Sequence, residues 1–271
     1  FYHSDSYSKL PKIEYNSSDW KIGHSIFVNS VEKSNTNAIN LIESGVESLY
    51  FIIPLELISI EALLENIDLA LITIYFETLF ISEKFTTTLQ QYSTKKNTRF
   101  YILNDPIGQL SKSGNWFENL KSDIENLNKI LVSGNELKGV VSVDLGLFQN
   151  AGSSMVQQLA YTLAHVNEYL NLFNSKPIKS IVFKVSVGGN YFFEIAKIQA
   201  LKTVFTSIVL AYDFKITFKL IAEPSTRNMT LQDYNVNMLR STTAMMAAIL
   251  GGADIINNLP YDVTFNPPNA F

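Results

Sequence analysis

Residues 180–190, Ser-Ile-Val-Phe-Lys-Val-Ser-Val-Gly-Gly-Asn, contain a pattern that recurs along the whole chain. Ser180–Val187 is an almost continuous apolar run, and the Gly-Gly-Asn that follows interrupts it before a helical segment at Tyr191–Tyr212. A strand of this kind is typical of a parallel sheet whose faces are both covered by helices. The stretch therefore predicts one β-then-α unit of an α/β fold.

Similar units precede and follow this one. The predicted strands are Ser25–Asn29, Ser48–Pro54, Ala70–Phe76, Arg99–Asp105, Gly139–Asp144, Ser180–Val187, Phe218–Glu223 and Asp254–Leu259. The predicted helices between them are Asn35–Ser44, Ser59–Asn66, Ser82–Tyr92, Asn115–Leu131, Ser154–Phe173, Tyr191–Tyr212 and Asp233–Leu250. This repetition favours a (β/α)8 TIM barrel over an open doubly wound sheet, which usually has fewer strands.

The ends of the chain define the predicted domain organisation. Residues 1–23 are predicted to form an N-terminal arm, and residues 24–271 the barrel. Only Asp262–Phe271 follows the last strand, so we predict a barrel that lacks its final helix. Because the chain begins with Phe1 rather than Met, we expect a fragment of a longer polypeptide.

Composition narrows the classes of function. The net charge of -4 and the pI of about 5.5 give no electrostatic footprint for nucleic acid. The absence of cysteine excludes disulfides and thiolate metal sites. No apolar run reaches membrane-spanning length, and Phe1–Trp20 is too polar for a signal peptide. We therefore expect a cytoplasmic protein without a nucleic-acid or membrane partner.

Candidate site residues lie where the predicted strands end, because barrel enzymes place their working side chains there. The candidates are Asp105, Asp144, Gln149, Asn150, Asn190, Glu223, Arg227 and Asn257. The three histidines, His3, His24 and His165, are interpreted as structural, with His24 preceding the first strand. No metal-binding motif is present, so we predict no metal site.

Two chemistries remain open for the polar residues of the fifth, sixth and seventh strands. Asp144 and Glu223 could form an acid/base pair, although helix capping or pairing with Lys184, Lys219 or Arg227 is favoured. Lys184 could form a Schiff base, although an ion pair with Asp144 is favoured. An unrelated barrel hydrolase or aldolase using Asp144, Lys184 and Glu223 therefore stays a hypothesis.

The second half of the chain also contains three short motifs at predicted helix ends. Gly188–Asn190 before a helix could cradle an anion, and a tight strand-to-helix turn explains it equally well. Thr230 with Asp233 predicts a capping box. Gly251-Gly252 predicts a left-handed helix stop.

Several of these segments resemble the methylmalonyl-CoA mutase family. They are Leu145–Gly152 (LGLFQNAG), Leu159–Ala164 (LAYTLA), Gly189–Lys197 (GNYFFEIAK), Thr230–Asn237 (TLQDYNVN) and Arg240–Ala248 (RSTTAMMAA). The resemblance implies a TIM barrel, the interconversion of methylmalonyl-CoA and succinyl-CoA, and adenosylcobalamin in the holoenzyme. It also implies a cobalamin-binding-like domain beyond residue 271.

Departures from the family pattern concern its active residues. Gly146 and Leu147 stand where the catalytic chain has a Tyr-His pair, and Leu103 stands where it has a glutamine. No arginine lies within Asp105–Lys138 to match the family's substrate-carboxylate arginine. Asp105–Gly108 and Trp20–Gly23 resemble the family's degenerate small chain.

These departures imply a non-catalytic small subunit that binds no cofactor itself and forms a heterodimer with a large catalytic chain. For this role we expect a filled barrel interior, with side chains such as Val141, Val143, Phe183, Val185 and Ile221. The alternative, a catalytic acyl-CoA mutase of altered specificity, requires an open axial channel. A missing last helix would also expose apolar surface between the first and seventh helices, so self-association is possible.

Overall fold

The computed structural model describes residues 19–96, 98–173 and 178–264. Eight parallel strands close into a barrel in which each strand pairs with the next along the chain and the last pairs with the first. The strands are β1 (Lys21–Phe27), β2 (Ser48–Ile53), β3 (Thr73–Thr78), β4 (Arg99–Asn104), β5 (Gly139–Asp144), β6 (Ser180–Val187), β7 (Thr217–Pro224) and β8 (Ile255–Asn257). The predicted (β/α)8 barrel is confirmed.

Helices cover the outside of this barrel. They are α1 (Val31–Glu43), α2 (Ile60–Leu63), α3 (Glu83–Lys96), α4 (Pro106–Ser113), α5 (Leu120–Ser133), α6 (Leu145–Asn150), α7 (Met155–Leu172), α8 (Tyr191–Ala211) and α9 (Val236–Gly251). A 3-10 turn lies at Thr226–Asn228. Within the described residues, β8 is followed by a turn at 261–264 and by no helix, as predicted.

Side chains alternate along each strand between the helix layer and the barrel interior. The outward residues form the main core; on β6, for example, the Phe183 ring lies 5.1 Å from that of Phe205 on α8. Val141, Val143 and Val185 belong to the same outer layer. The prediction that these residues fill the interior was therefore wrong, because their parity along β5 and β6 turns them outward.

The barrel interior is filled by a different set of side chains. These are Tyr50, Ile52, Tyr75, Tyr101, Leu103, Val182, Ile221 and Ile255, so Ile221 alone was predicted correctly. The three tyrosines stand in register on β2, β3 and β4. The rings of Tyr75 and Tyr101 stack with centroids 4.7 Å apart and planes 13° apart. The centre of the barrel is therefore packed with aromatic and aliphatic groups.

Two motifs were predicted at helix ends, a left-handed stop and a capping box, and the structure contains only the first in its described residues. Gly252 has φ +86°, the left-handed conformation predicted for the stop of α9. The predicted capping box of Thr230 and Asp233 is absent, because α9 begins at Val236. Instead, Asn237 accepts a hydrogen bond from Thr230 N–H and donates one to Thr230 C=O, which pins the preceding loop to the helix.

The start of the barrel differs from the prediction. β1 begins at Lys21, so residues 21–23 belong to a strand, and His24 lies inside β1 rather than before it. Burial lowers the pKa of His24. The hydrogen bond between His24 Nδ1 and Ser25 C=O raises this pKa, but the effect of burial is larger. Residues 1–18 of the predicted arm, His3 among them, lie outside the described residues.

None of the helices in residues 19–96, 98–173 and 178–264 combines the length and the apolar character that a bilayer span requires.

Candidate functional site

Inward-facing polar side chains gather where the strands end, at the opening called here the barrel mouth. The group that we call the mouth cluster consists of Tyr50, Glu77, Asp144, Lys184, Glu223 and Asn257, from six different strands. Lys184 Nζ lies 3.1 Å from Glu77 Oε2 and 3.8 Å from Asp144 Oδ2. Because Glu77 is on β3 and Lys184 on β6, this ion pair crosses the barrel.

The Lys184 ammonium is held in its charged form. Burial alone would lower the pKa of Lys184, but the surrounding Glu77, Tyr50, Asp144 and Glu223 raise it well above its ordinary value. The ammonium also lies 5.2 Å from the centroid of the Tyr50 ring, a cation–π contact. A Schiff-base lysine needs a lowered pKa, so this environment opposes that role. The favoured ion pair is found, with Glu77 as the closer partner.

The carboxylates of the mouth cluster are shifted in opposite directions. Burial would raise the pKa of Glu77, but Lys184 and the hydrogen bond that Tyr50 donates lower it. Burial raises the pKa of Asp144 and of Glu223, and Lys184 offsets this only in part. One ammonium thus interacts with three carboxylates, and its interaction with Glu77 is the strongest.

Asp144 and Glu223 each have a second partner. Asp144 Oδ1 accepts a hydrogen bond of 2.8 Å from Gly146 N–H and so caps α6, as predicted. Glu223 accepts a hydrogen bond from Asn257 Nδ2, which also donates to Ser25 Oγ at 2.6 Å. Asp144, Glu223 and Asn257 are therefore the predicted candidates that the fold brings together around Lys184.

The space at the mouth is small. A cavity of about 60 Å³ is lined by Glu77, Asp144 and Lys184 and by Leu103 and Leu147. That volume holds a few water molecules, whereas pockets for drug-sized ligands start at about 300 Å³. Leu103 and Leu147 form apolar walls of this cavity.

Gly146 stands in a position without room for a side chain. A Cβ built on Gly146 would overlap Ser186 Oγ on the neighbouring strand β6. The chain passes close to β6 here because Asp144 caps α6 directly after β5. A tyrosine at position 146 therefore requires Ser186 to move.

Asp105 anchors helices at the edge of this cavity. Its Oδ1 accepts hydrogen bonds from Gly108 N–H at 2.8 Å, which caps α4, and from the Tyr169 hydroxyl at 2.6 Å. His165 Nε2 lies 2.8 Å from the same oxygen. His165 and Tyr169 are both on α7, so Asp105 ties α4 to α7. His165 is buried, in keeping with its structural interpretation.

A second buried polar group lies behind the mouth and was not predicted. Lys197 Nζ lies 2.6 Å from Glu194 Oε2 and donates hydrogen bonds to Gln149 Oε1 and Ser186 C=O, both at 2.8 Å, and to Gln158 Oε1 at 3.2 Å. Burial lowers the pKa of Lys197 despite Glu194. The predicted candidate Gln149 thus serves this internal ion pair.

The remaining candidates stay outside the mouth cluster. Asn150 Oδ1 accepts a hydrogen bond from Ser225 Oγ at 3.2 Å, and Arg227 Nη1 donates to Gln149 C=O at 3.4 Å. Asn190 is exposed at the N-cap of α8 and makes no side-chain capping bond. Within the part of the chain that the structure describes, no three His, Cys, Asp or Glu residues are grouped to hold a metal.

Two members of the cluster were missed from the sequence. Tyr50 lies inside an otherwise apolar strand, and Glu77 was placed one residue beyond the predicted end of its strand. The alternation of side chains along a strand could have shown that such a residue faces the interior. Glu77 is two residues after Tyr75 and pairs with Leu103 across the sheet, so both must face the interior.

Comparison with known proteins gives one family and one fold. The family model described as methylmalonyl-CoA mutase matches residues 55–271. The chain is 27% identical to the methylmalonyl-CoA mutase small subunit of Porphyromonas gingivalis, over 93% of this chain and 44% of that protein. It is 29% identical to the small subunit of Streptomyces virginiae, over 62% of this chain and 28% of that protein.

The chain therefore spans less than half the length of these curated relatives. Among solved structures, dihydropteroate synthase from Anaplasma phagocytophilum superposes with a TM-score of 0.55 at 14% identity, covering 91% of this chain and 95% of that one. At that identity the likeness concerns the barrel fold alone.

Proposed function

Because the chain belongs to the methylmalonyl-CoA mutase family, we propose that it is the barrel of a small subunit that supports catalysis by a large chain without catalysing the reaction itself. The similarity to two proteins named as small subunits supports this assignment. In the proposed assembly the two chains form a heterodimer that interconverts methylmalonyl-CoA and succinyl-CoA. In this proposal the arm ends before β1, which begins at Lys21, the chain from Lys21 onward serves as the barrel, and a cobalamin-binding-like domain follows.

The filled interior is the observation that carries the proposal. An acyl-CoA that reacts inside a barrel needs space along the axis for its acyl group and pantetheine arm. Here the Lys184–Glu77 pair crosses the axis at the mouth. Below it, Tyr75 and Tyr101 stack against each other in the interior. The cavity of about 60 Å³ at the mouth is too small for a thioester substrate.

The residues at the mouth also do not fit adenosylcobalamin in the way the family resemblance implies. Gly146 and Leu147 offer neither the hydroxyl nor the imidazole of the family's Tyr-His pair. A side chain at position 146 would overlap Ser186. We therefore assign the cofactor to the holoenzyme rather than to this barrel.

The role left for the mouth cluster is structural. Hydrogen bonds and ion pairs from Tyr50, Glu77 and Lys184 join β2, β3 and β6 across the interior. Such a network holds the barrel in one shape and so presents a rigid outer surface to a partner. Packing against a large chain requires this rigidity and no reactive group.

Co-expression with a candidate large chain tests the proposal. We expect a stable one-to-one complex by size-exclusion chromatography with light scattering, and mutase activity with adenosylcobalamin in the complex only. Lys184→Met in the small chain should leave the kcat of an intact complex unchanged, and the corresponding loss of the Tyr-His pair in the large chain should abolish it. Acyl-CoA turnover by the small chain alone would contradict the proposal.

A second candidate is acid–base catalysis by the mouth cluster, which one observation favours. Asp144 and Glu223 both have a raised pKa and converge on Lys184, as in a barrel hydrolase. The raised pKa of Lys184 counts against an aldolase that forms a Schiff base. Hydrolysis of acyl thioesters by the purified chain, lost in both Asp144→Asn and Glu223→Gln, would support this function. Equal background rates in all three proteins would exclude it for those substrates.

A further inference from the structure

The opposite opening of the barrel, at the amino ends of the strands, contains a second polar cavity. It measures about 270 Å³ and is lined by Ala70, Thr98, Arg99, Tyr101 and Lys138. Arg99 and Tyr101 belong to β4 and face the interior side by strand parity, and Lys138 directly precedes β5. We propose that this cavity binds a phosphate group, either as the free ion or as a phosphomonoester.

The cavity carries positive charge that the protein does not neutralise. Arg99 and Lys138 are both exposed, and within the described residues neither lies at ion-pair distance from a carboxylate. Asp254, at the same end of the barrel, is occupied by Lys219 Nζ at 2.7 Å and by Leu220 N–H at 2.9 Å. The Asp68 carboxylate accepts a hydrogen bond from Ala70 N–H at 3.1 Å and forms no ion pair with Arg99 or Lys138 in the described residues.

Tyr101 supplies a neutral donor that lines the same cavity as these cations. Its ring is buried against Tyr75, and its side chain lines the cavity. In the described part of the chain its hydroxyl makes no hydrogen bond to a protein group. An arginine fork, an ammonium and a hydroxyl are the donors that phosphate oxygens accept from in proteins.

The packed interior limits what can enter. The Tyr75–Tyr101 stack closes the barrel directly above this opening, so a bound molecule is held by its phosphate group while the rest of it stays outside. The volume admits a phosphate with several waters, or a small phosphomonoester. This site is independent of the mouth cluster and of the proposed subunit role.

Calorimetric titration of the full-length protein with inorganic phosphate, at constant ionic strength, tests the proposal. We expect saturable binding with one site per chain. Arg99→Gln and Lys138→Gln should each weaken it about tenfold, which corresponds to the loss of one charged hydrogen bond. Tyr101→Phe should weaken it less. Lys33→Gln, which removes an exposed charge on α1, is the matched control and should bind as the wild type does.

Parallel titrations identify the source of the phosphate and the failing outcomes. Phenyl phosphate that binds at least as well as inorganic phosphate indicates a monoester ligand, and weaker binding indicates the free ion. Circular dichroism must show that the glutamine variants are folded. Non-saturable heats for the wild type, equal displacement by chloride, or unchanged affinity in both glutamine variants would overturn the proposal.

Discussion

Lys184 is the residue on which the mouth cluster depends, because one ammonium serves Glu77, Asp144 and Glu223. Its side chain is 15% exposed and that of Glu77 is 24% exposed, so both charges are largely removed from water. We expect Lys184→Met to lower the free energy of unfolding at pH 7 by about 3 kcal/mol, because it leaves buried carboxylates without a cation. Urea denaturation measures the loss.

The matched control for this change is Lys121→Met. Lys121 is 86% exposed and 4.0 Å from Glu125, and its loss should change the stability by less than about 0.5 kcal/mol. As the pH falls and the carboxylates protonate, the deficit of Lys184→Met should shrink. If Lys184→Met is as stable as the wild type at pH 7, the ammonium does not hold the cluster together.

Asp144 and Glu77 should affect the pH dependence of stability with opposite signs. The pKa of Asp144 is raised in the fold, mainly by burial, so ionising it at neutral pH lowers stability. Asp144→Asn, which can still cap α6, should be more stable than the wild type at pH 7. The difference should vanish as the pH falls to the ordinary range of an aspartate.

For Glu77 the sign is reversed. Lys184 and Tyr50 overcome the effect of burial and lower the pKa of Glu77, so its contribution is present above the ordinary glutamate pKa and is lost as the pH falls through the lowered value. Glu77→Gln should therefore be less stable than the wild type at pH 7. Urea midpoints for both variants from pH 3 to pH 7 decide the matter, and parallel curves would refute the assignment.

At the scale of elements, α4 depends on α7 for its position. The Tyr169 hydroxyl donates to Asp105 at 2.6 Å and accepts from Ile107 N–H at 3.1 Å. We expect Tyr169→Phe to destabilise the protein by about 1–3 kcal/mol, because both groups lose a buried partner. Hydrogen exchange should accelerate first in residues 106–113.

The control for this change is Tyr161→Phe, on the exposed side of α7, where exchange should not change. Faster exchange spread evenly over the barrel would mean that the bond supports the whole fold rather than α4.

The elements could be predicted where one physical signal dominated. β5 and β6 have the predicted bounds. The apolar run of β5 lies between Gly139 and Asp144, and that of β6 is ended by the Gly-Gly-Asn that follows it. The start of β1 was missed because Lys21 and His24 read as polar, although they lie in a strand. The short helices α4 and α6 were missed because they begin directly at Asp105 and Asp144, where the strands end.

At the scale of the whole molecule, closure of the barrel creates the site, because it brings together side chains that are far apart in the sequence. Lys184 and Glu77 are 107 residues apart and meet only because β3 and β6 face each other across the interior. A filled interior was expected from the non-catalytic role and is found, but of the side chains named for it only Ile221 has the inward parity. Tyr50, Tyr75 and Tyr101 fill it because they share one parity in adjacent, registered strands.

Under the proposed function, the filled interior also predicts that introducing the family's histidine and tyrosine does not produce mutase turnover. Leu147 lines the small cavity, so Leu147→His should fold, whereas adding Gly146→Tyr should lower stability through the overlap with Ser186. With adenosylcobalamin and methylmalonyl-CoA, neither variant should show turnover, and neither should bind the thioester, because the Lys184–Glu77 pair and the tyrosines still occupy the axis. A spectrophotometric assay for succinyl-CoA measures turnover, and calorimetry measures binding. Binding by Leu147→His would mean that the axis opens in solution, in which case the loss of two side chains, rather than the packing of the barrel, separates this chain from a catalytic one.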